Sequence, residues 1–329
     1  MTAADVAAAK AIVWDLSAPL MSNAAPWPDR LPDRIAADVD FHGPAPIGRC
    51  SSRAELDERF FGVLRRAMPR ICRQPHLFLG GQWGDDTWVA STGDYVGPLA
   101  EPLCGITPAG SAPVRLRFGE FCRVIDGEVA EIRCLVDLPG LAAQVGVHLL
   151  PPFPAKGEPP PGPALGNGVV RGTSDPVETA YTLQLVEDML GGCNRLDGSD
   201  LESMGMAAYW HPDMVWHGPW GVGSSYGFDE FQNYAQGPSV RSFPDRRGGF
   251  HQARFADGLT AAFTGWPSLQ GTFSGDPFRG VEPTGGPIGQ NIMDFYVRRD
   301  DKLHENWVLI DLVDFAAQCG VDLLAPLDH

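Results

Sequence analysis

The chain has 329 residues, 44% of them hydrophobic and 20% charged, with 25 Lys and Arg against 41 Asp and Glu for a formal net charge of −16. A surplus of that sign repels phosphate backbones and anionic lipid headgroups, which excludes nucleic acid and membrane surfaces as expected partners. At about 150 residues per domain, the length predicts two domains.

The first stretch, "MTAADVAAAKAIVWDL", has acids where a signal peptide needs a basic start, and no segment reaches about 18 continuous apolar residues. A cytoplasmic location is the expectation. Seven cysteines (50, 72, 104, 122, 134, 193 and 319) show no CxxC spacing and no close Cys/His group, which predicts reduced thiols and no metal site. Residues 39–48 read "VDFHGPAPIG", and the phrase returns at 214–223 as "MVWHGPWGVG". The shift of 175 that carries His42 to His217 also carries Gly48 to Gly223, Glu55 to Glu230, Pro69 to Pro244 and His76 to His251. After small gaps, Gly105 pairs with Gly280 and Asp137 with Asp311, and "LAAQVGVHLL" answers "FAAQCGVDLL" with seven identities in ten positions. Self-similarity on this scale marks a tandem duplication.

Between the copies, seven of the first thirteen residues of the stretch 151–176 are proline, a density that prevents helix and central strand. The expected organisation is a first domain at 1–150, an extended linker or strap at 151–176 and a second domain at 177–329. In the second copy, "DPVETAYTLQLVEDML" opens on an Asp-Pro cap signal and carries helical spacing. A second helical stretch is predicted at "SDLESMGMAAYW", a short strand through Met214 to Trp216 and a helix at "GFDEFQNYAQG". Strands follow at "FHQARFADG" and "LTAAFTGWPSLQGTF", then a long hairpin turning at "RRDDK". Helices first and a meander afterwards predict an α+β fold, with helices on one face of an antiparallel sheet.

The run "YWHPDMVWHGPWGVGSSYGFDEF", the "PTG" at 283–285 and "FYVRRDDKLHENWVLIDLVDFAAQCG" resemble the SnoaL-like polyketide cyclase branch of the nuclear transport factor 2-like superfamily. The resemblance covers 177–324 well and 1–148 more loosely. It implies two cones, each a curved sheet around an apolar pocket, working without metal or organic cofactor. The superfamily contains cyclases, isomerases, dehydratases and members with no catalysis, so the fold alone leaves function open.

Three catalytic candidates follow. Strand alternation puts Leu303, Glu305, Trp307, Leu309 and Asp311 on one face. The resemblance assigns Asp311 the aspartate of the aldol cyclases; the competing reading makes it the N-cap of the next helix. Asp294 matches the acid that ketosteroid-isomerase-like relatives keep protonated beside an oxyanion, or it is a strand acid facing away from the pocket. His217 stands where those isomerases place their base, or it supports the Gly-Pro turn. Tyr209, Trp216, Trp220, Phe231, His251, Trp266, Asn291 and Trp307 are the expected pocket lining, or plain core. The first-copy equivalents are His42, His76, Glu120 and Asp137. There Arg133 replaces Trp307, Arg117 replaces Asn291 and "TPAG" replaces "EPTG", so the second copy is the expected active one.

The expected function is acid–base cyclisation, isomerisation or dehydration of a small hydrophobic carbonyl compound. The alternative is a non-catalytic ligand-binding or scaffold protein. Either way the tandem is expected to form a pseudo-dimer within one chain or a homodimer.

Overall fold

The computed structural model describes residues 3–22 and 27–327. The chain divides into two compact units, one of residues 1–149, 164–173 and 324–329, the other of residues 150–163 and 174–323.

In the first unit, helix α1 (Ala3–Ser17) precedes strand β1 (Ile35–His42), the short β2 (Arg49–Cys50) and helices α2 (Arg53–Leu56) and α3 (Gly62–Ala67), joined by a π-turn at Asp57–Phe61. Four strands follow, β3 (Cys72–Trp83), β4 (Asp86–Pro98), β5 (Pro113–Ile125) and β6 (Glu128–Val136), and then helix α4 (Leu138–Gln144). Their sheet order is β2-β1-β6-β5-β4-β3, antiparallel except where β1 runs parallel to β6.

The second unit repeats this plan. Helix α5 (Pro176–Cys193) leads to β7 (Trp210–His217), β8 (Ser224–Tyr226), α6 (Phe228–Phe231), a π-turn at Gln232–Gln236 and α7 (Gly237–Ser242). Then come β9 (Arg247–Gly248), β10 (His251–Asp257), β11 (Thr260–Thr272), β12 (Pro287–Arg299), β13 (Lys302–Ile310) and α8 (Leu312–Gln318). The order β8-β7-β13-β12-β11-β10 is that of the first unit, again with one parallel pair, β7 on β13. Each unit is thus an α+β domain with its helices against one curved sheet. The predicted helix at "SDLESMGMAAYW" is instead two short 3₁₀ turns, Leu201–Met204 and Met206–Ala208, broken where Gly205 takes a positive φ of 64°. The strand predicted at Met214 begins earlier, at Trp210.

Local chemistry explains why the register survived. The His-Gly-Pro phrase is the β1–β2 turn and its copy the β7–β8 turn. Gly43 N donates to Gly48 O at 3.0 Å and Gly218 N to Gly223 O at 3.1 Å. A Cβ on Gly218 would stand 2.1 Å from the Trp216 ring, so that close approach requires glycine. Glu55 and Glu230 fill one capping role, accepting from Ser51 N and Tyr226 N, each at 2.9 Å. Asp137 and Asp311 are both N-caps, accepting from Gly140 N and Asp314 N, each at 3.0 Å.

The stretch between the copies is extended. Within the first unit, Phe78 N donates to Gly168 O and Val170 N to Phe78 O. Within the second, Lys156 and Ser224 exchange backbone hydrogen bonds and Trp307 Nε1 donates to Pro161 O at 2.9 Å.

Candidate active site

A cavity of about 200 Å³ lies in the second unit between the sheet and its helices. Strand β12 supplies one stripe of its lining, Gln290, Ile292, Asp294 and Tyr296, and β13 another, Asn306, Val308 and Ile310. Side chains two apart share a face, and register pairs Tyr296 with Asn306 and Asp294 with Val308. Met189 and Cys193 of α5, Trp216 of β7 and Phe231 of α6 complete an apolar wall.

Asp294 is the acid inside this wall, 7% exposed. Its Oδ1 accepts from Tyr296 Oη at 3.0 Å and from Asn306 Nδ2 at 3.2 Å. Asn306 also donates to Phe295 O at 3.0 Å, which fixes its amide. Burial first and the Asp294 charge second hold the Tyr296 phenol well above its ordinary pKa, so at physiological pH it is a proton donor. Cys193 sits nearby, its Sγ 3.8 Å from Met189 Sδ and 3.7 Å from Met206 Sδ, and burial raises its pKa as well.

His251, Trp216 and Phe231 border the cavity with Asp294. The His251 ring stacks on Phe263, centroids 4.0 Å apart, and its Nδ1 faces Arg254 Nη1 at 3.2 Å. Burial, and then the Arg254 charge, lower its pKa to about 3.

The other expected residues fall elsewhere. Asp311 caps α8 and does not border the cavity. His217 is buried on the opposite face of the sheet, its Nδ1 3.0 Å from Ser224 Oγ and its ring 5.3 Å from that of Trp307. Trp307 turns its indole to Pro161 and Trp220 packs on Phe153 at 5.4 Å. Asn291 Nδ2 reaches Asp314 at 3.4 Å, Tyr209 Oη accepts from Arg195 at 3.1 Å, and Trp266 lies at the irregular part of β11 between Gly265 and Leu269. None of these five, Tyr209, Trp220, Trp266, Asn291 or Trp307, lines the cavity.

For the β13 residues the reason is a single-residue bulge. Next to the turn Arg299 faces Lys302 and Arg298 faces Leu303, but Val297 faces Glu305, which leaves His304 as the extra residue. One inserted residue exchanges the faces of everything beyond it. The cavity therefore takes the even-numbered side chains of β13, whereas counting straight from the turn selects Glu305, Trp307 and Asp311. Tyr296 was findable by its two-residue spacing from Asp294. Asn306 was hidden by the bulge, and Arg246, in the segment before β9, belongs to no periodic pattern.

In the first unit a cavity of about 330 Å³ is bordered by Leu16, Trp27, Phe61, Arg73, Tyr95 and Glu120, among others. Glu120 holds the register position of Asp294, but Arg73 Nη2 donates to its Oε1. The Arg73 guanidinium also lies 4.4 Å from the Phe118 ring centre. Burial raises the Glu120 pKa and the Arg73 charge pulls it back. His42 instead faces Asp40 at 3.2 Å and His76 faces Asp94 at 3.6 Å, and neither borders this cavity. Arg133 pairs with Glu131 at 2.7 Å.

The SnoaL-like polyketide cyclase family profile matches residues 196–319. Residues 196–319 of the second unit are a SnoaL-like domain. Among solved structures, AclR from Streptomyces galilaeus, to which a hydroxylase role is attributed, is 22% identical over 43% of this chain and 86% of its own, with a TM-score of 0.35. IdmH from Streptomyces antibioticus, to which a polyketide cyclase role is attributed, is 25% identical over 43% of this chain and 99% of its own, also at 0.35. An NTF2-like protein from Anabaena variabilis is 13% identical over 42% and 93%, at 0.33. No curated protein matches the chain. Among the described residues, no helix is long and apolar enough to cross a membrane, and no group of three or more His, Cys, Asp or Glu could hold a metal ion.

Proposed function

We propose that the SnoaL-like domain is an acid–base enzyme acting on a small hydrophobic carbonyl compound, with Asp294 as the group that moves the proton. The observation that carries this reading is the position of Asp294: buried in an apolar cavity, with Tyr296 and Asn306 donating to the same carboxylate oxygen. Fixed donors preorganise the carboxylate, and apolar walls strengthen its action on a bound carbon acid. In the step proposed, Asp294 takes a proton from the carbon next to the ligand's carbonyl, leaving an enolate. In a cyclisation the enolate carbon attacks a second carbonyl of the same molecule. A carbon–carbon bond forms, the π pair moves to oxygen, and Asp294 returns its proton to that alkoxide. In an isomerisation the proton returns to a different carbon.

His217 and Asp311 have no part in this scheme, because neither borders the cavity. The first unit is proposed as a non-catalytic partner, since Arg73 holds the acid at the equivalent position. Deuterium uptake next to the carbonyl of 2-tetralone in D₂O, followed by mass spectrometry, tests the reading. Wild-type protein should accelerate exchange above background and Asp294→Asn should not; equal rates for the two would overturn it.

A further inference from the structure

Three side chains that line the second unit's cavity carry hydrogen-bond donors, and two of them, Gln290 and His251, have a buried donor whose partner is not supplied by the fold. Gln290 is 2% exposed and its Nε2 is buried without a hydrogen-bond partner. His251 Nε2 is likewise buried and unpartnered. Its state follows from the other side of the ring, where Arg254 can only donate, so Nδ1 accepts and the proton of the neutral imidazole resides on Nε2. The third is Arg246, whose Nη1 donates to Ser239 Oγ at 2.7 Å.

Among the described residues no carboxylate pairs with Arg246. Asp245 beside it accepts instead from Thr272 N and Thr272 Oγ1, each at 2.7 Å. Glu187 of α5 pairs with Arg254 at 3.0 Å. Burial pulls the Arg246 pKa below the ordinary arginine value, with Cys193 as the group acting against that. Arg246 is half-buried at the cavity wall with no carboxylate partner, and an anion arriving with a ligand would supply that counter-charge.

The sheet brings the Arg246 segment and Gln290 together, and His251, in register with Gly265 and Ile292, lines the cavity between Gln290 and Asp294. Gly248 of β9 and Gln290 of β12 flank Leu269 of β11 in register, and Arg246 lies two residues before Gly248. Asp294 is four residues from Gln290 along the same strand face, about 13 Å at the usual strand rise. We infer that this end of the cavity is an anion subsite, in which Arg246, Gln290 and His251 grip the carboxylate of an aromatic or alicyclic carboxylic acid whose carbonyl end extends towards Asp294. The inference rests on the acid–base reading only for the orientation of the ligand; the subsite itself stands on the three donors.

The test uses the full chain and two bicyclic probes of nearly equal shape, 2-naphthoate and the neutral 2-naphthamide, with binding followed by quenching of the fluorescence of Trp210 and Trp216, which line the cavity. Naphthoate should bind about tenfold to a hundredfold more tightly than the amide, as charge-assisted bidentate contacts do. Arg246→Gln should remove that preference with the amide's affinity unchanged, and Arg246→Lys should restore part of it. Equal affinity for the two probes, no binding of either, or a preference that survives Arg246→Gln would overturn the subsite. Asp294→Asn separates the two proposals, because it should abolish tetralone exchange while keeping or strengthening naphthoate binding. Loss of the naphthoate preference with exchange intact removes the subsite alone.

Discussion

Glu120 and Asp294 occupy one place in one strand plan, and their surroundings give them opposite characters. Glu120 is held by the buried guanidinium of Arg73, whereas Asp294 is held by a phenol and an amide. An ion pair fixes a carboxylate's charge and occupies the oxygen a substrate would need. Neutral donors orient the carboxylate and leave proton transfer possible. The two copies thus keep the position of the acid and differ in its neighbours. Since Arg73 corresponds by the 175-residue shift to Gly248, the difference lies in whether a side chain exists there at all.

The largest effect expected from this contrast is on proton exchange. Asp294→Asn should slow tetralone exchange by about 10²- to 10⁴-fold, the usual worth of a positioned acid or base. Glu120→Gln should leave the rate unchanged, and a rate that falls equally in both variants would end the assignment of chemistry to the second unit. Stability should show the reverse asymmetry. Arg73→Met strands a buried carboxylate and should cost about 3–5 kcal/mol in urea unfolding, most of it recovered in the Arg73→Met, Glu120→Gln double variant. A double variant no more stable than the single one would show that packing, and not charge, sets the loss.

The histidines His76 and His251 carry the comparison into pH. Burial and Arg254 keep His251 neutral down to about pH 3, whereas an unfolded chain protonates it near 6.5. Its contribution to stability is therefore complete above pH 6.5 and shrinks as pH falls towards 3, with a slope approaching about 1.4 kcal/mol per unit. His251→Gln should flatten that limb of a stability profile. Burial also lowers His76, but the Asp94 charge opposes it, so His76→Gln should flatten the limb less. The smallest effects belong to the caps. Asp137→Ala and Asp311→Ala should each cost about 1 kcal/mol and spare exchange. Exchange abolished by Asp311→Ala at unchanged stability would return the catalytic role to that residue.

The duplication, the α+β plan and most strands of the second unit are legible in the sequence, because turn residues such as Gly48 and Gly223 and capping acids such as Glu55 and Glu230 have fixed local jobs. The site is legible only in part. Asp294, Trp216, Phe231 and His251 could be placed near a pocket, but Trp307 and Leu309 are as buried as Val308. Both faces of β13 are apolar, so alternation offers no contrast between them. The bulge at His304 then decides the face, and nothing in the composition of "RRDDKLHENW" announces it. Arg246 was missed for the opposite reason, since a charged side chain between two turns has the pattern of ordinary surface.

Neither unit is one continuous run of chain. The first needs residues 164–173 for the hydrogen bonds on Phe78, and these follow residues 150–163, whose Pro161 receives the Trp307 indole of the second. A ribosome making this protein therefore releases part of the second domain before the first can finish folding. Cutting the chain at Ser174 would leave the second unit without residues 150–163, and so without the hydrogen bonds of Lys156 to Ser224 and of Trp307 to Pro161. The strap between the two copies thus crosses over in chain order, its earlier part completing the later unit and its later part the earlier one.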